Sequence, residues 1–230
     1  MNARYLAMKN TRAGRVLFVV GTGASLVDND LSLLRGLDTF AMNDAVYFDR
    51  DFCPTYWTTW DWVDSYGRYV SAALYKGSLV FVSRNAGRKI PDHPNLYRIN
   101  YFSPIEAPGT SGPNCLNITL SIGAFLGYCE VFLVGCDGGN CASAEYPRRT
   151  DHGLQAFQER GHIVRYDVPI TANGYQWVQE TIASHSSFRD AETGEPVTMR
   201  IRSTGAYHGL KFIEHLPLAD AVALAKSGVM

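Results

Sequence analysis

The 230-residue chain has no excess of charge, no long apolar run and no paired-cysteine motif, and each lack removes a class of protein. Lys and Arg number 21 against 22 Asp and Glu, a formal net charge of −1. No overall field then draws the chain onto a polyanion or an anionic bilayer, and bulk nucleic-acid binding is not expected. The longest apolar runs, such as residues 16–20 and 131–134, are one strand long, far short of the roughly 20 residues of a membrane span. The first turns of the chain carry Arg4, Lys9, Arg12 and Arg15 but no uninterrupted apolar stretch with a small-residue cleavage site, so a cytoplasmic address is expected. Cys53, Cys115, Cys129, Cys136 and Cys141 are odd in number and form no CxxC pair, which fits reduced thiols. What is present, 46% apolar and 12% aromatic residues, suffices for a sizeable core, and one domain over 1–230 is the expectation.

Residues 16–20 form a continuous apolar run that stops at Gly21-Thr22-Gly23-Ala24-Ser25. Such a run, bounded by glycine, reads as a central strand buried on both faces of a parallel sheet. Further strands are expected at 38–42, 55–59, 79–83, 96–100, 130–134 and 197–202. Helices are expected over 28–36, 62–75, 114–126, 154–160, 174–184 and 218–226, with a turn at 190–196. The alternation gives the fold class α/β, a doubly wound, mostly parallel Rossmann-like sheet with an irregular active-site excursion at 138–175 and a carboxyl-terminal strand and helix.

The glycine bend after the first strand is the best local motif. Glycines let backbone approach a ligand closely, and amides exposed there bind phosphate oxygens. No Gly-Lys-Ser/Thr follows, which excludes a P-loop, and Leu26 stands where a full GxGxxG fingerprint has its third glycine. A tight turn without a ligand is the alternative. Asn43 and Asp44 after the second strand and Asp61 after the third project from carboxyl ends, where nucleotide ribose, base or metal binds in open α/β sheets. Each is also an ordinary turn former. Thr110-Ser111-Gly112 precedes a helix with Pro113 at its start, and so makes either a second anion cradle or a simple cap. Asp137 closes a buried strand, and Asp151-His152 follows in the irregular segment, a carboxylate and imidazole suited to metal binding or general base work. Cys136, Cys141 and His152 match no usual zinc spacing. Trp57, Trp60, Trp62, Tyr66 and Tyr69 read as core and pocket wall rather than a base-stacking platform.

Taken in order, Val19-Val20-Gly21-Thr22-Gly23-Ala24-Ser25-Leu26, Phe40-Ala41-Met42-Asn43, Pro54-Thr55-Tyr56-Trp57 with Asp61, Thr110-Ser111-Gly112 and Val131-Phe132-Leu133-Val134-Gly135-Cys136-Asp137 form one pattern. It resembles the superfamily that holds the bacterial CMP-sialic acid-dependent sialyltransferases, the motility-associated flagellin glycosyltransferases and the archaeal-type 6-hydroxymethylpterin diphosphokinase-like proteins. A later block, Arg200-Ile201-Arg202-Ser203-Thr204-Gly205-Ala206, is similar to the carboxyl-terminal segment of the last two branches, with Arg202 in place of their asparagine. Thr22 replaces the asparagine of the sialyltransferases, and Gly138 and Gly139 stand where those enzymes have an aromatic, with Tyr146 as a substitute from another loop.

The resemblance implies that Gly21, Thr22, Gly23 and Ser25 line nucleotide phosphates and that Asn43 meets the ribose or base. It places Thr110, Ser111 and Gly112 along the nucleotide or the transferred group, Mg²⁺ at Asp61 and Asp137, and a catalytic base at His152 together with Asp137. The function it implies first is a nucleotide-sugar-dependent glycosyltransferase, with a CMP- or UDP-linked donor and an acceptor hydroxyl on a small molecule, glycan or protein. ATP-dependent pyrophosphoryl transfer to a hydroxymethylpterin-like alcohol is the enzymatic alternative. A non-catalytic nucleotide-binding module is the third, and the number of subunits is left open.

Overall fold

A computed structural model describes residues 3–60, 63–85, 90–109, 114–136, 172–204 and 213–228. Its centre is an eight-stranded sheet in which every neighbouring pair is parallel. In chain order its strands are β1 (Val16–Val20), β2 (Thr39–Met42), β3 (Tyr56–Thr58), β4 (Leu79–Ser83), β5 (Leu96–Ile99), β6 (Glu130–Val134), β9 (Arg200–Thr204) and β10 (His215–Leu216). A separate antiparallel hairpin pairs β7 (Ser187–Arg189) with β8 (Pro196–Thr198). Across the large sheet the order is β10-β9-β6-β1-β2-β3-β4-β5. The helices are α1 (Ala3–Leu6), α2 (Val63–Tyr75), α3 (Cys115–Leu126), α4 (Ala172–Ser186) and α5 (Leu218–Ser227).

The two faces of the sheet bury different sets of side chains, because successive residues of a strand point to opposite sides. Leu17, Val19, Phe40, Tyr56, Phe81, Val131 and Leu133 pack with Tyr5 of α1, the apolar side chains of α3 and Ile182 of α4. Val16, Phe18, Val20, Ala41, Trp57, Val80, Phe132 and Val134 pack with Tyr69, Val70 and Ala73 of α2 and with Leu218, Ala221 and Val222 of α5. Strands covered on both sides need apolar residues at every position, which is why β1 and β6 are unbroken runs. The fold is therefore a doubly wound, Rossmann-like α/β sheet with a carboxyl-terminal strand and helix. Helix α3 is buried from Leu116 through Leu126, since it lies between the sheet and α4, and it has no solvent-facing side; its buried hydroxyls are bonded, Thr119 to the Cys115 carbonyl and Ser121 to His185 of α4. Asn114 caps its start by accepting from the Asn117 amide at 2.7 Å.

Two expectations change. The helix expected over 28–36 is instead two 3-10 turns, Ala24–Asp28 and Leu31–Leu34. Asn29 and Asp30 between them offer the backbone side-chain partners, Asn29 Nδ2 donating to the Ser25 carbonyl at 2.8 Å and Asp30 accepting from the Ser32 amide at 3.0 Å, and such bonds compete with helix. The strand expected at 197–202 is broken at Met199, with β8 in the hairpin and β9 beside β6. The turn at 190–196 is the tip of that hairpin, and the short β10 was not expected. The helix expected over 154–160 lies outside the described residues.

Candidate functional site

From β1 the chain steps outward through β2, β3, β4 and β5, then returns by way of α3 to place β6 on the other side of β1. The order of strands thus reverses between β1 and β6, and in open α/β sheets the ligand crevice lies outside the carboxyl ends at such a point. Here those ends are knitted together. The Gly21 amide donates to the Val134 carbonyl at 2.8 Å and the Gly23 amide to the Gly135 carbonyl at 2.7 Å. A Cβ on Gly21 would fall 2.5 Å from the Gly135 oxygen and 2.9 Å from Cys136 Sγ, while Gly135 itself has φ +62°. Close approach of the two strand ends therefore demands glycine at 21, while Gly135 is required by its left-handed backbone and by Leu26, whose Cβ would lie 2.9 Å from an added methyl. Two of the amides expected to face phosphate are engaged by Val134 at the end of β6 and by Gly135 just after it. Thr22, partly exposed between them, has an amide that makes no hydrogen bond among the described residues. Ser25 follows on the first 3-10 turn, its carbonyl held by Asn29, whose Oδ1 in turn accepts from Thr204 Oγ1 at 3.3 Å at the end of β9.

Asn43, immediately after β2, adopts the left-handed conformation with φ +50°, rare for a residue with a side chain and most accessible to Asn. Three bonds hold it there. Its carbonyl accepts from Trp57 Nε1 at 2.7 Å, and its Oδ1 accepts from Thr59 Oγ1 at 2.8 Å and from Cys115 Sγ at 3.1 Å. Cys115 Sγ also accepts from the Trp60 amide at 3.1 Å. The ends of β2 and β3 and the first turn of α3 are thereby joined around one carboxamide at the carboxyl rim. With its oxygen occupied twice, Asn43 presents an Nδ2 that donates to no acceptor among the described residues, and the residue is partly exposed.

Two cavities open along this rim. One of about 780 Å³ lies beside Ser25, Asp28 and Asn29 on one side and His215 and Pro217 on the other. The second, of about 320 Å³, lies beyond β3, β4 and β5, with Trp60, Arg84, Asn100 and Phe102 among its walls.

Gly21, Thr22, Gly23, Ser25 and Asn43 thus lie on the carboxyl rim, at the ends of β1 and β2. Asp61, Thr110, Ser111, Gly112, Asp137 and His152 lie outside the described residues, as does Tyr146. Among the described residues there is no group of three or more His, Cys, Asp or Glu side chains able to hold a metal ion. Arg202 is buried on β9, its guanidinium bonded to Glu130 of β6 and stacked 4.6 Å from the centroid of Phe132. Sequence reasoning passed over Cys115, Asn29 and Thr204, and treated Thr59 as a strand residue. No local signal marks these residues, because the bonds are long-range: Cys115 lies 72 residues after Asn43, and Thr204 lies 175 after Asn29.

Among the described residues no helix is long and apolar enough to cross a membrane. No model of a known protein family matches this chain. A comparison with curated proteins likewise gives no match.

Proposed function

We propose that this chain is a nucleotide-sugar-dependent glycosyltransferase of the superfamily its sequence resembles, moving a sugar from a CMP- or UDP-linked donor to an acceptor hydroxyl. The observation that carries the reading is Asn43. A strained, partly exposed residue held by three bonds, with a carboxamide donor that has no acceptor among the described residues and a place next to the strand-order reversal, is the arrangement expected of a ligand clamp. In this reading Nδ2 of Asn43 binds the ribose or base, and Thr22 and Ser25 border the phosphates in the β1–β6 crevice.

The transfer forms a bond from the acceptor oxygen to the anomeric carbon while the bond from that carbon to the phosphate oxygen breaks. The nucleotide leaves with the electron pair, and the hydroxyl proton passes to a base, assigned to His152. Donors aimed at the leaving phosphate supply the larger part of the acceleration, and proton removal adds about 10²–10⁴-fold.

A thermal-melt series with CMP, UDP, GDP and ATP, each with and without Mg²⁺, tests the reading. A nucleotide at a hundred times its Kd stabilises the folded state by about 2.7 kcal/mol, which for a chain of this size raises Tm by about 5–10 °C. CMP or UDP is expected to give that shift in the wild type and little in Asn43→Ala. A shift with ATP alone, with AMP released when a hydroxymethylpterin is supplied, replaces sugar transfer by pyrophosphoryl transfer. No shift with any nucleotide refutes the site. His152→Ala is expected to lower turnover by about 10²–10⁴-fold with the melt shift intact, and full turnover would remove His152 as the base.

A further inference from the structure

The smaller rim cavity has features that the nucleotide does not use. It is joined to Asn43 by two consecutive hydrogen bonds, from the Trp60 amide to Cys115 Sγ and from that thiol to Asn43 Oδ1. It opens at the ends of β3, β4 and β5, which on a strand spacing of about 4.8 Å puts it about 10 Å along the rim from the end of β2. Its volume of about 320 Å³ is at the lower end of small-molecule sites, which span about 300–1,000 Å³, and suits a single ring better than a chain of them.

The walls define the kind of ring. Phe102 is 68% exposed at the mouth, its position fixed by its amide donating to Asn100 Oδ1 at 3.1 Å. Its ring stands at 88° to that of Trp60, with centroids 5.6 Å apart, and Trp60 leans on Tyr101 behind it. Perpendicular rings form a corner and not a slot, so a flat heterocycle meets one face and one edge and is not sandwiched. A ring with one apolar C–H face and a rim of hydroxyls fits a corner.

Arg84 supplies donors for those hydroxyls. Its Nη2 donates to Glu106 Oε1 at 2.8 Å, and its amide to the Ile99 carbonyl at 2.8 Å. Nε and Nη1 donate to nothing among the described residues, and the side chain is 46% exposed. Glu106 is buried and also accepts from the Asn100 amide. The charge of Arg84 is thus already matched, so the pocket offers directed N–H groups without a net positive field and does not call for an anionic ligand. Asn85 and Asn100 add carboxamides at the same wall.

We infer that this pocket is the acceptor subsite and that the acceptor is a neutral pyranose, its C–H face against the Trp60–Phe102 corner and its hydroxyls on Arg84, Asn85 and Asn100. The inference rests on the glycosyltransferase reading for the word acceptor, but the binding itself is testable without it. Saturation-transfer NMR on the full chain is run with the methyl glycosides of glucose, galactose and mannose and with N-acetylglucosamine, alongside glucuronate and hydroxymethylpterin. At least one neutral sugar is expected to receive saturation at its ring protons. That binding should weaken tenfold or more in Phe102→Ala, an exposed position whose loss leaves the fold intact, and in Asn85→Ala, while the CMP or UDP melt shift is unchanged. No transfer to any of the four neutral sugars, transfer unaffected by both variants, or binding confined to glucuronate or to the pterin overturns the inference. Sugar binding without any nucleotide shift keeps the pocket and refutes the transferase; a nucleotide shift without sugar binding does the reverse.

Discussion

Asn43 and Lys76 show how single side chains fix the backbone at this rim and behind it. A non-glycine residue at φ +50° carries about 1–3 kcal/mol of strain, and at Asn43 three hydrogen bonds offset it. Asn43→Gly removes both the strain and the side-chain bonds, so stability is expected to stay within about 1 kcal/mol of wild type while the nucleotide melt shift disappears. Urea unfolding and ligand melts on one sample separate the two effects. Lys76, at the end of α2, lies half-buried with its ammonium donating to three carbonyls, Val46 at 2.9 Å, Asp49 at 3.0 Å and Phe52 at 2.7 Å. Burial lowers its pKa from the ordinary lysine value, yet the three acceptors bind only the donor-rich end of the chain. Lys76→Met keeps the packing of the stem and strands those carbonyls, and a loss of about 2–3 kcal/mol in urea unfolding is expected. Neither role was legible beforehand. The sequence placed Asn43 after β2, but its conformation depends on Thr59 and Cys115, and nothing local marks Lys76 as the plug for a loop 24–30 residues earlier.

At the scale of elements, continuous apolar runs ended by glycine made the central strands readable, because burial on both faces leaves no other composition. The errors fell where side chains compete with the backbone, at Asn29 and Asp30, or where one extended stretch passes from one sheet to another, at Met199. The glycine bend was legible as a bend. Its neighbour was not, since the reason for Gly21 is the carbonyl of Gly135, 114 positions later. Gly21→Ala is expected to cost about 2–3 kcal/mol in denaturant unfolding, as the added methyl meets backbone that cannot step aside. Arg202 and Glu130 link β9 to β6 as a buried ion pair. Removing one partner alone leaves a buried charge without its counter-ion, so Arg202→Met should cost about 3–5 kcal/mol. The double variant Glu130→Leu with Arg202→Met should cost markedly less than the sum of the single changes. An additive cycle by urea unfolding would show that the two residues act apart.

The molecule as a whole holds its α3 and α4 layer against the sheet partly through one buried imidazole, and that gives its stability a defined pH dependence. His185, fully buried near the end of α4, is bonded through Nε2 to Ser121 Oγ of α3 at 2.9 Å and through Nδ1 to the Thr181 carbonyl at 2.8 Å. The Gly109 loop and Phe188 of the hairpin pack on the same ring. The carbonyl at Nδ1 places the proton there, so neutral Nε2 accepts from the serine hydroxyl. Burial pushes the pKa of His185 down to about 4, against about 6.5 in an unfolded chain. Between those values the unfolded chain binds a proton that the folded chain refuses. Stability is therefore fully present above about pH 6.5 and is lost as pH falls toward 4, by about 3 kcal/mol in total at 1.4 kcal/mol per pH unit. A neutral amide of similar length, His185→Gln, retains hydrogen-bonding atoms but cannot titrate. Its unfolding free energy should start lower at pH 7.5 and change less between pH 6.5 and 4.5 than that of the wild type. Parallel curves for the two proteins across that interval would show that another group sets the acid sensitivity of the fold.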